Sequence, residues 1–462
     1  MKRRNRVVFF NILSTVLLRG ISIFTAPLFS RLLGDSGYGG LQMYNIWTSA
    51  AAIIFPLQTQ GTLVNARVEY PEEEQQRYQS SVMTLSVLSF LICAAVVLIF
   101  IRPVSAFFEM EYFLIYLMLL QAFGTFCVSF LSTKFTYEFK AGRNMMISLG
   151  ITIFSLILAL VLVLRLPKEI NYYGRVVANA STYALVGIPA CVYILAKGKS
   201  FVNRKYWKFC LLLAIPTVFY NLSDLILGQI DRVMLQKMLS EAAVGQYSLA
   251  LNFGGIMFTI FGALNNSWCP FFFEDMKLGN ARALKERSDN YLELYTVLSV
   301  GFILLTEEVY HVFASQEFWT GTSLIPIFVS SYYINFLCTF PVNYEYYHKK
   351  TKVVAVITIA SSLSNMVLNY ILIQRLGIGG AAVATFFSHC LQLLMHYVYC
   401  RYILKKGDYP FGLGRWLGYA LAYFAVVALT GLIQLPWLAR WGLGALVGLW
   451  ELWRIKKRKV LI

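Results

Sequence analysis

The chain has 462 residues, of which 58% are hydrophobic and only 14% charged, and its mean hydropathy is +0.61. Soluble globular domains are about a quarter charged, so one water-soluble core cannot bury this much apolar surface. The net charge of +17 does not indicate nucleic-acid binding, because the basic residues lie in short clusters between apolar runs. Those runs have the length of about 20 residues that crosses hydrocarbon as a helix. We therefore predict a membrane protein with no nucleic-acid partner.

The pattern predicts an all-α polytopic membrane protein with about fourteen transmembrane helices. The basic N-terminal residues lead into the first span without a cleavage site, so this span is not interpreted as a signal peptide. Pro436 leaves open whether the last two spans are separate helices or one bent hairpin. The approximate cores of the spans are 8–30, 39–65, 80–101, 112–133, 145–165, 173–196, 208–230, 244–270, 291–314, 322–343, 353–373, 379–403, 413–433 and 436–452.

The distribution of Lys and Arg predicts the orientation of these spans. Of the 40 basic residues, 30 fall in segments on the side of the N-terminus, 9 fall on the other side, and Arg19 lies within a span. Basic residues are enriched in cytoplasmic loops. We therefore expect both termini to be cytoplasmic and the protein to lie in a bacterial inner (cytoplasmic) membrane.

The sequence offers no motif for a metal, a nucleotide or an enzyme active site. The eight cysteines form no C-x-x-C pair, which argues against a disulfide framework or a zinc site. No extramembrane segment is long enough to hold a soluble-type active site. We therefore predict a transporter with no cofactor, driven by an H⁺ or Na⁺ gradient, by the membrane potential or by substrate flow.

Two pairs of segments indicate an internal repeat. The segment around Asn45 resembles the segment around Asn252, 207 positions later, and Gly174 and its neighbours resemble Gly380 and its neighbours, 206 positions later. A repeat of six spans keeps the same orientation, so we expect two six-helix lobes related by a pseudo-twofold axis along the membrane normal. The predicted divisions are residues 1–200 for the N-lobe (spans 1–6), residues 201–408 for the C-lobe (spans 7–12), and residues 409–462 for two extra C-terminal spans and a basic tail.

Arg19 lies near the middle of the first span. An arginine facing lipid there costs at least about 2.5–3.5 kcal/mol, so it should face a cavity or a partner. Asn11, Thr15 and Ser22 share its helical face. This stripe could bind a phosphate or pyrophosphate through the guanidinium fork, or Arg19 could form a structural salt bridge within the lobe.

The seventh span carries a second polar face that includes Asn221, Asp224 and Asp231. The repeat makes this span the counterpart of the first. Asp224 could carry a proton or Na⁺, or pair with Arg19 when no substrate is bound. An internally hydrogen-bonded structural carboxyl is the equal alternative.

Asn45 on the second span and Asn252 on the eighth also lie on polar faces. Such faces commonly join helices to one another, and they could also line a cavity for sugar hydroxyls. Together with Asn11, Thr15, Arg19, Ser22 and Asn221, these residues form the predicted substrate-binding set.

Arg175, Asp231 and Arg232 lie near the outer ends of their spans. They are interpreted either as interfacial anchors or, with Asp224, as residues of ion coupling or an outer gate. His389 and His396 share a face of the twelfth span, but two histidines are too few ligands for a zinc site.

Three motifs in chain order resemble those of polysaccharide flippases. They are PLFSRLLGDSGYG at residues 27–39, DRVML at 231–235 followed by VGQYSLA at 244–250, and LSNMVLNYIL at 363–372 followed by LGIGGAAVAT at 376–385. The chain is thereby similar, over essentially its whole length, to the polysaccharide-transporter branch of the multidrug/oligosaccharidyl-lipid/polysaccharide exporter superfamily.

The resemblance implies alternating access that moves undecaprenyl-pyrophosphate-linked oligosaccharide repeat units, of O-antigen, capsule or exopolysaccharide, from the cytoplasmic to the outer leaflet. It implies contacts with membrane lipids and names a polysaccharide polymerase and glycosyltransferases as candidate partners. A flippase for lipid II or another cell-wall precursor, and a cation-coupled drug exporter, remain alternatives. A cationic cavity around Arg19 favours an anionic lipid headgroup over a cationic drug.

Overall fold

The structure is a computed structural model that describes residues 2–404, 409–432 and 436–457. These residues form fifteen α-helices and no β-strand. The helices are α1 (Lys2–Ile54), α2 (Leu63–Glu69), α3 (Gln75–Ile99), α4 (Ile101–Phe108), α5 (Tyr112–Tyr137), α6 (Ala141–Arg165), α7 (Asn171–Gly198), α8 (Arg204–Met238), α9 (Glu241–Leu278), α10 (Ala281–Phe313), α11 (Ile325–Tyr347), α12 (Thr351–Leu376), α13 (Ile378–Val398), α14 (Leu413–Leu432) and α15 (Trp437–Lys457).

Every predicted span contains a helix, which confirms the all-α polytopic fold. Within the described residues, ten helical stretches are long and apolar enough to cross a membrane. The helix α1 holds the first two predicted spans, and α10, α14 and α15 occupy the ninth, thirteenth and fourteenth. The last two spans are separate helices, because α14 ends at Leu432 and α15 begins at Trp437.

Gly34 separates the first span from the second within α1. Its φ of 71° and ψ of 178° are non-helical, and glycine adopts such a positive φ at little steric cost. The second span differs from the prediction at its other end. Its helix stops at Ile54 rather than near residue 65, because Pro56 has no N–H to donate and restricts the residue before it.

The chain divides into two compact units, Met1–Ile230 and Asp231–Ile462, which we call the first and second units. The boundary between them falls inside α8 (Arg204–Met238). The predicted lobes at 1–200 and 201–408 were defined by the spans they contain rather than by compactness, so that division stays a prediction.

Glycines allow the helices of the first unit to approach closely. A Cβ on Gly124 of α5 would lie 2.5 Å from the backbone of Tyr183 on α7, and one on Gly187 would lie 2.6 Å from the carbonyl oxygen of Gly124. Small residues at such contacts are typical of membrane helices, whose association depends on close packing.

The same kind of contact recurs at the repeat positions. A Cβ on Gly174, near the start of α7, would lie 2.8 Å from the backbone nitrogen of Val163 on α6. A Cβ on Gly380, near the start of α13, would lie 2.1 Å from the carbonyl oxygen of Leu372 on α12. The two glycines are 206 positions apart, so each unit uses a glycine at the equivalent place, in agreement with the sequence repeat.

Charged groups of α10, near both ends of the predicted ninth span (residues 291–314), attach the C-terminal helices to the second unit. Toward the predicted cytoplasmic end, the buried carboxylate of Glu293 pairs with Arg454 of α15 at 2.6 Å and accepts a hydrogen bond from Tyr419 of α14 at 3.1 Å. Toward the other end, Glu307 and Glu308 both pair with Arg440 of α15. We infer that α14 and α15 are a fixed part of the second unit.

We expect Glu293→Ala to loosen this attachment more than Glu307→Ala does. Glu293 is 2% exposed, and removing it leaves Tyr419 and Arg454 without their acceptor, a loss of about 1–3 kcal/mol. The side chain of Glu307 is 48% exposed, and exposed pairs contribute about 0–1 kcal/mol. Limited proteolysis of the purified protein near residue 412 measures the difference. Equal cleavage rates in the two variants would contradict the expectation.

Candidate functional site

Arg19 lies in the part of α1 that precedes the break at Gly34, and its side chain is exposed on the first unit. The hydroxyl of Ser22 donates to the carbonyl oxygen of Arg19 at 2.9 Å. That bond uses the proton of the Ser22 hydroxyl, whose oxygen can still accept a hydrogen bond. The role of Ser22 in binding stays a prediction.

The other residues of the predicted stripe have different positions. Thr15 is exposed, as Arg19 is. The side chain of Asn11 lies outside the described part of the structure. Thr15, Arg19 and Ser22 therefore all present their side chains at the surface of the first unit.

The predicted asparagines and Asp224 lie at the surfaces of their units. Asn45 and Asn221 are partly exposed, and Asn252 and Asp224 are exposed. Asn45 and Asn221 belong to the first unit, with Asp224, whereas Asn252 belongs to the second. Their roles in binding or coupling stay predictions.

Asp231, which begins the second unit, lies in a polar cluster formed by four helices. Its Oδ2 accepts a hydrogen bond from the hydroxyl of Tyr247 on α9 at 2.7 Å, and its Oδ1 accepts one from Nδ2 of Asn369 on α12 at 2.5 Å. The hydroxyl of Thr385 on α13 lies 3.1 Å from Oδ2. The amide of Asn365 lies between Asn369 and Thr385, at 3.0 and 3.4 Å. The carboxyl group therefore joins α8 to α9, α12 and α13.

One acceptor in this cluster has no donor. Asn369 is fully buried, and its Oδ1 makes no hydrogen bond among the residues that the structure describes. A buried polar atom without a partner costs about 1–3 kcal/mol. A carboxylate together with amide and hydroxyl oxygens is a set that hard cations accept, and it is also one in which a carboxyl group could take up a proton.

Arg232 and Arg175 both take part in the helix packing of their units. Arg232 is buried, and its Nε donates to the hydroxyl of Ser248 on α9 at 2.9 Å. The guanidinium of Arg175 lies 4.4 Å from the ring centroid of Phe29 on α1, and its Nη1 is 3.4 Å from the carbonyl oxygen of Ser155 on α6. Both arginines thus link neighbouring helices of their own unit.

The polar cluster has a counterpart in the first unit. Ser155 donates to Asn179 Oδ1 at 2.5 Å, and these positions plus 206 are Ser361 and Thr385. Ser361 donates to the carbonyl oxygen of Ser388 on α13 at 2.8 Å. Polar contacts therefore occur both between α6 and α7 in the first unit and between α12 and α13 in the second. In the first unit Arg175 joins the two helices, and in the second unit Asp231 bonds to both.

Sequence reasoning assigned no role to several members of the Asp231 cluster. Tyr247, Asn365, Asn369 and Thr385 all occur in the motifs that carry the family resemblance. Their convergence on one carboxylate needs contacts across about 140–150 residues of chain, as between Asp231 and Asn369. The only indication in the sequence was that these are polar residues within apolar spans.

The two histidines of α13 both contact α11. His389 Nδ1 lies 3.0 Å from the carbonyl oxygen of Ser331, and His396 Nδ1 lies 2.9 Å from Glu345 Oε1. His396 and Glu345 are fully buried. Among the described residues, no group of three or more His, Cys, Asp and Glu side chains is arranged to hold a metal ion.

Comparisons with known proteins agree with this architecture. The family model described as "Polysaccharide biosynthesis protein" matches residues 5–276. A membrane protein of Haemophilus influenzae, described as uncharacterized, is 21% identical over 356 residues, which are 73% of this chain and 82% of the relative.

Two solved structures have the same fold at low sequence identity. The lipid II flippase MurJ, in an inward closed conformation, superposes with a TM-score of 0.70 at 16% identity and covers 96% of this chain and 100% of its own. A multidrug resistance transporter of the MATE family, facing inward, superposes with a TM-score of 0.59 at 14% identity and covers 82% of this chain and 92% of its own.

The family match covers more than half of the chain, and the relatives that share the fold are transporters and flippases rather than enzymes. The described helices include ten that can cross a membrane. The chain is therefore a multi-pass membrane protein that belongs to the polysaccharide biosynthesis protein family.

Proposed function

We propose that this protein flips undecaprenyl-pyrophosphate-linked oligosaccharide repeat units from the cytoplasmic to the outer leaflet of a bacterial inner membrane, by alternating access. Both termini would be cytoplasmic. The product would supply O-antigen, capsule or exopolysaccharide assembly, with glycosyltransferases acting before the flippase and a polymerase after it.

The observation that carries the proposal is Arg19, an exposed arginine in the middle of the first span of a polysaccharide-family membrane protein. A guanidinium group at this depth needs an anionic or polar partner. A pyrophosphate offers oxygens in the geometry that the planar fork binds bidentately. A lipid-linked substrate brings that anion into the membrane together with its own anchor.

Reconstitution tests the proposal directly. The purified protein is placed in proteoliposomes with a fluorescent undecaprenyl-pyrophosphate oligosaccharide in one leaflet, and exposure of the glycan to an impermeant quencher or glycosidase is followed in time. We expect transfer well above that of protein-free liposomes. Transfer no faster than in protein-free liposomes, in an assay validated with another flippase, would refute the proposal.

The same assay separates the alternatives. A lipid II flippase would move undecaprenyl-linked peptidoglycan precursor faster than the oligosaccharide substrate. A drug exporter would move a fluorescent cation and neither lipid. The substrate that is moved fastest identifies the class, and our proposal requires it to be the oligosaccharide.

Asp231 is the better placed of the two aspartates of α8 for coupling to H⁺ or Na⁺. Its carboxyl group is joined to Tyr247, Asn369 and Thr385 on three other helices, whereas Asp224 is exposed. A cation or proton at Asp231 would change the contacts of α8 with α12 and α13. Ionisable residues inside membrane spans commonly take part in ion pathways and proton relays.

We expect Asp231→Asn to abolish acceleration of flipping by an ion gradient. The amide keeps the size of the side chain but loses its charge and its proton, so the coupling free energy between ion and substrate, typically about 1–3 kcal/mol or 5–150-fold in affinity, should disappear. Flipping rates are compared with and without an imposed Na⁺ or pH gradient. Asp224→Asn is the matched control, and loss of gradient dependence in that variant instead would assign coupling to Asp224.

A further inference from the structure

The second span contains a stretch of irregular backbone, residues 55–62, which we call the polar break. The hydroxyl of Ser89 on α3 donates to the carbonyl oxygen of Phe55 at 2.7 Å, and the hydroxyls of Thr59 and Ser86 are 2.6 Å apart. Ser86 and Ser89 lie about 9 and 14 Å beyond Ser80, where the third span begins, at 1.5 Å per helical residue. The polar break therefore lies at the depth of the hydrocarbon.

Irregular backbone at this depth is restricted by the bilayer. It persists only where it is buried in protein or lines a water-filled cavity, because lipid cannot satisfy the peptide groups. Part of the polar break is exposed, since Gly61 is exposed and Gln58 and Gln60 are partly exposed. A segment that is exposed at this depth and cannot face lipid should line an aqueous path.

The backbone of the polar break is also strained. Leu57 and Gln58 have φ values of 61° and 50°, and non-glycine residues rarely occupy this left-handed region because it is sterically strained. Side-chain bonds hold the conformation in place, including that between Thr62 and Tyr78 at 2.8 Å. Such strain is maintained mainly at sites where a particular backbone geometry is used.

Two glutamines give the polar break its hydrogen-bonding character. Gln60 Nε2 donates to Gln58 Oε1 at 2.6 Å. Gln60 Oε1 is buried and has no hydrogen-bond partner among the residues described. An acceptor without a donor cannot be satisfied by a phosphate oxygen, which is itself an acceptor at neutral pH. A hydroxyl group can donate to it and can accept from the other amide.

We propose that the polar break contacts the sugar hydroxyls of the transported substrate and makes transport selective for the glycosylated carrier. This inference rests on the proposed function. Arg19 and the polar break would bind different parts of the substrate headgroup. The guanidinium group of Arg19 binds anionic pyrophosphate, whereas the amides of Gln58 and Gln60 bind the uncharged glycan through its hydroxyl groups. The polar break would thus be a specificity element separate from the anion site.

The test compares two substrates in the same proteoliposomes, the labelled undecaprenyl-pyrophosphate oligosaccharide and undecaprenyl pyrophosphate without a glycan. The variant is Gln58→Met/Gln60→Met, which keeps the length of both side chains and removes their amides. We expect it to flip the oligosaccharide substrate about 5- to 30-fold more slowly, as the loss of one to two net hydrogen bonds predicts. The rate for the bare carrier should stay within about twofold of wild type, because the unpartnered acceptor Gln60 Oε1 gains no hydrogen bond from a phosphate oxygen, which is itself an acceptor.

Two further variants keep the test decisive. Asn65→Ala removes an exposed amide from the neighbouring helix α2 and should leave both rates unchanged. Gln60→Met alone should give a smaller loss in the same direction, and it serves if the double variant does not fold.

Each outcome has a defined meaning. Equal slowing of both substrates would make the polar break a structural element, and no slowing of either would exclude contact with the glycan, so both results overturn the inference. A wild type that moves the bare carrier but not the oligosaccharide would refute the proposed function, and this inference would fall with it.

Discussion

Arg19→Ala is expected to lower the rate of oligosaccharide flipping at least about tenfold, because a charge-assisted bond to an anion contributes about 1.5–3 kcal/mol. The side chain is exposed on the first unit, so its removal leaves no cavity in a packed core. Arg19→Lys keeps the charge but not the fork and should give an intermediate rate. The proteoliposome assay with the labelled substrate measures all three proteins.

The matched control for this prediction is Arg31→Ala. Arg31 is also an exposed arginine of α1, on the same side of the Gly34 break, but it lies at the predicted outer end of the first span. We expect its loss to leave flipping close to wild type. If Arg19→Ala flips normally at the same protein level and melting temperature, Arg19 is a structural residue and the pyrophosphate site must lie elsewhere.

The second large effect concerns the fold, and we expect Gly380→Ala to destabilise the second unit strongly. The added Cβ would lie 2.1 Å from the carbonyl oxygen of Leu372 and 2.4 Å from its carbon. These are backbone atoms, so α12 and α13 must move apart. Overpacking that a side chain can absorb costs about 1–3 kcal/mol, and a forced backbone shift should cost at least that. Thermal unfolding of the purified protein in detergent measures the loss.

Gly379→Ala is the control for that substitution. A Cβ on Gly379 would meet nothing within 4 Å, and alanine favours a helix by about 1 kcal/mol over glycine. The adjacent substitution should therefore leave the melting temperature unchanged or raise it. Similar melting temperatures for the two variants would show that the α12–α13 contact relaxes without cost.

The internal repeat allowed equivalent positions to be predicted from the sequence, but not their neighbours in space. Gly174 and Gly380 were recognised as equivalent from one offset, and the structure places both at close helix contacts. The pattern could not indicate what surrounds them. Ser155 and Asn179 in one unit, and Ser361 and Ser388 in the other, meet only because their helices pack side by side.

In the second span, hydropathy predicts a longer helix than the structure contains. Residues 39–65 have the composition of one crossing, yet the helix ends at Ile54. The polar break that follows depends on Ser86 and Ser89 of α3 for its hydrogen bonds. An average over a window cannot register a change of backbone conformation that distant partners stabilise.

Local sequence was sufficient to indicate that this protein crosses a membrane through helical spans and to identify its family. These properties can be read without distant contacts, because lipid imposes apolar runs of a fixed length, whereas the orientation drawn from the basic loops stays a prediction. Which polar residues act together became clear from the packing of the helices. The partners of Asp231 come from α9, α12 and α13, and hydrogen bonds between them form only when distant helices pack, which no local pattern encodes.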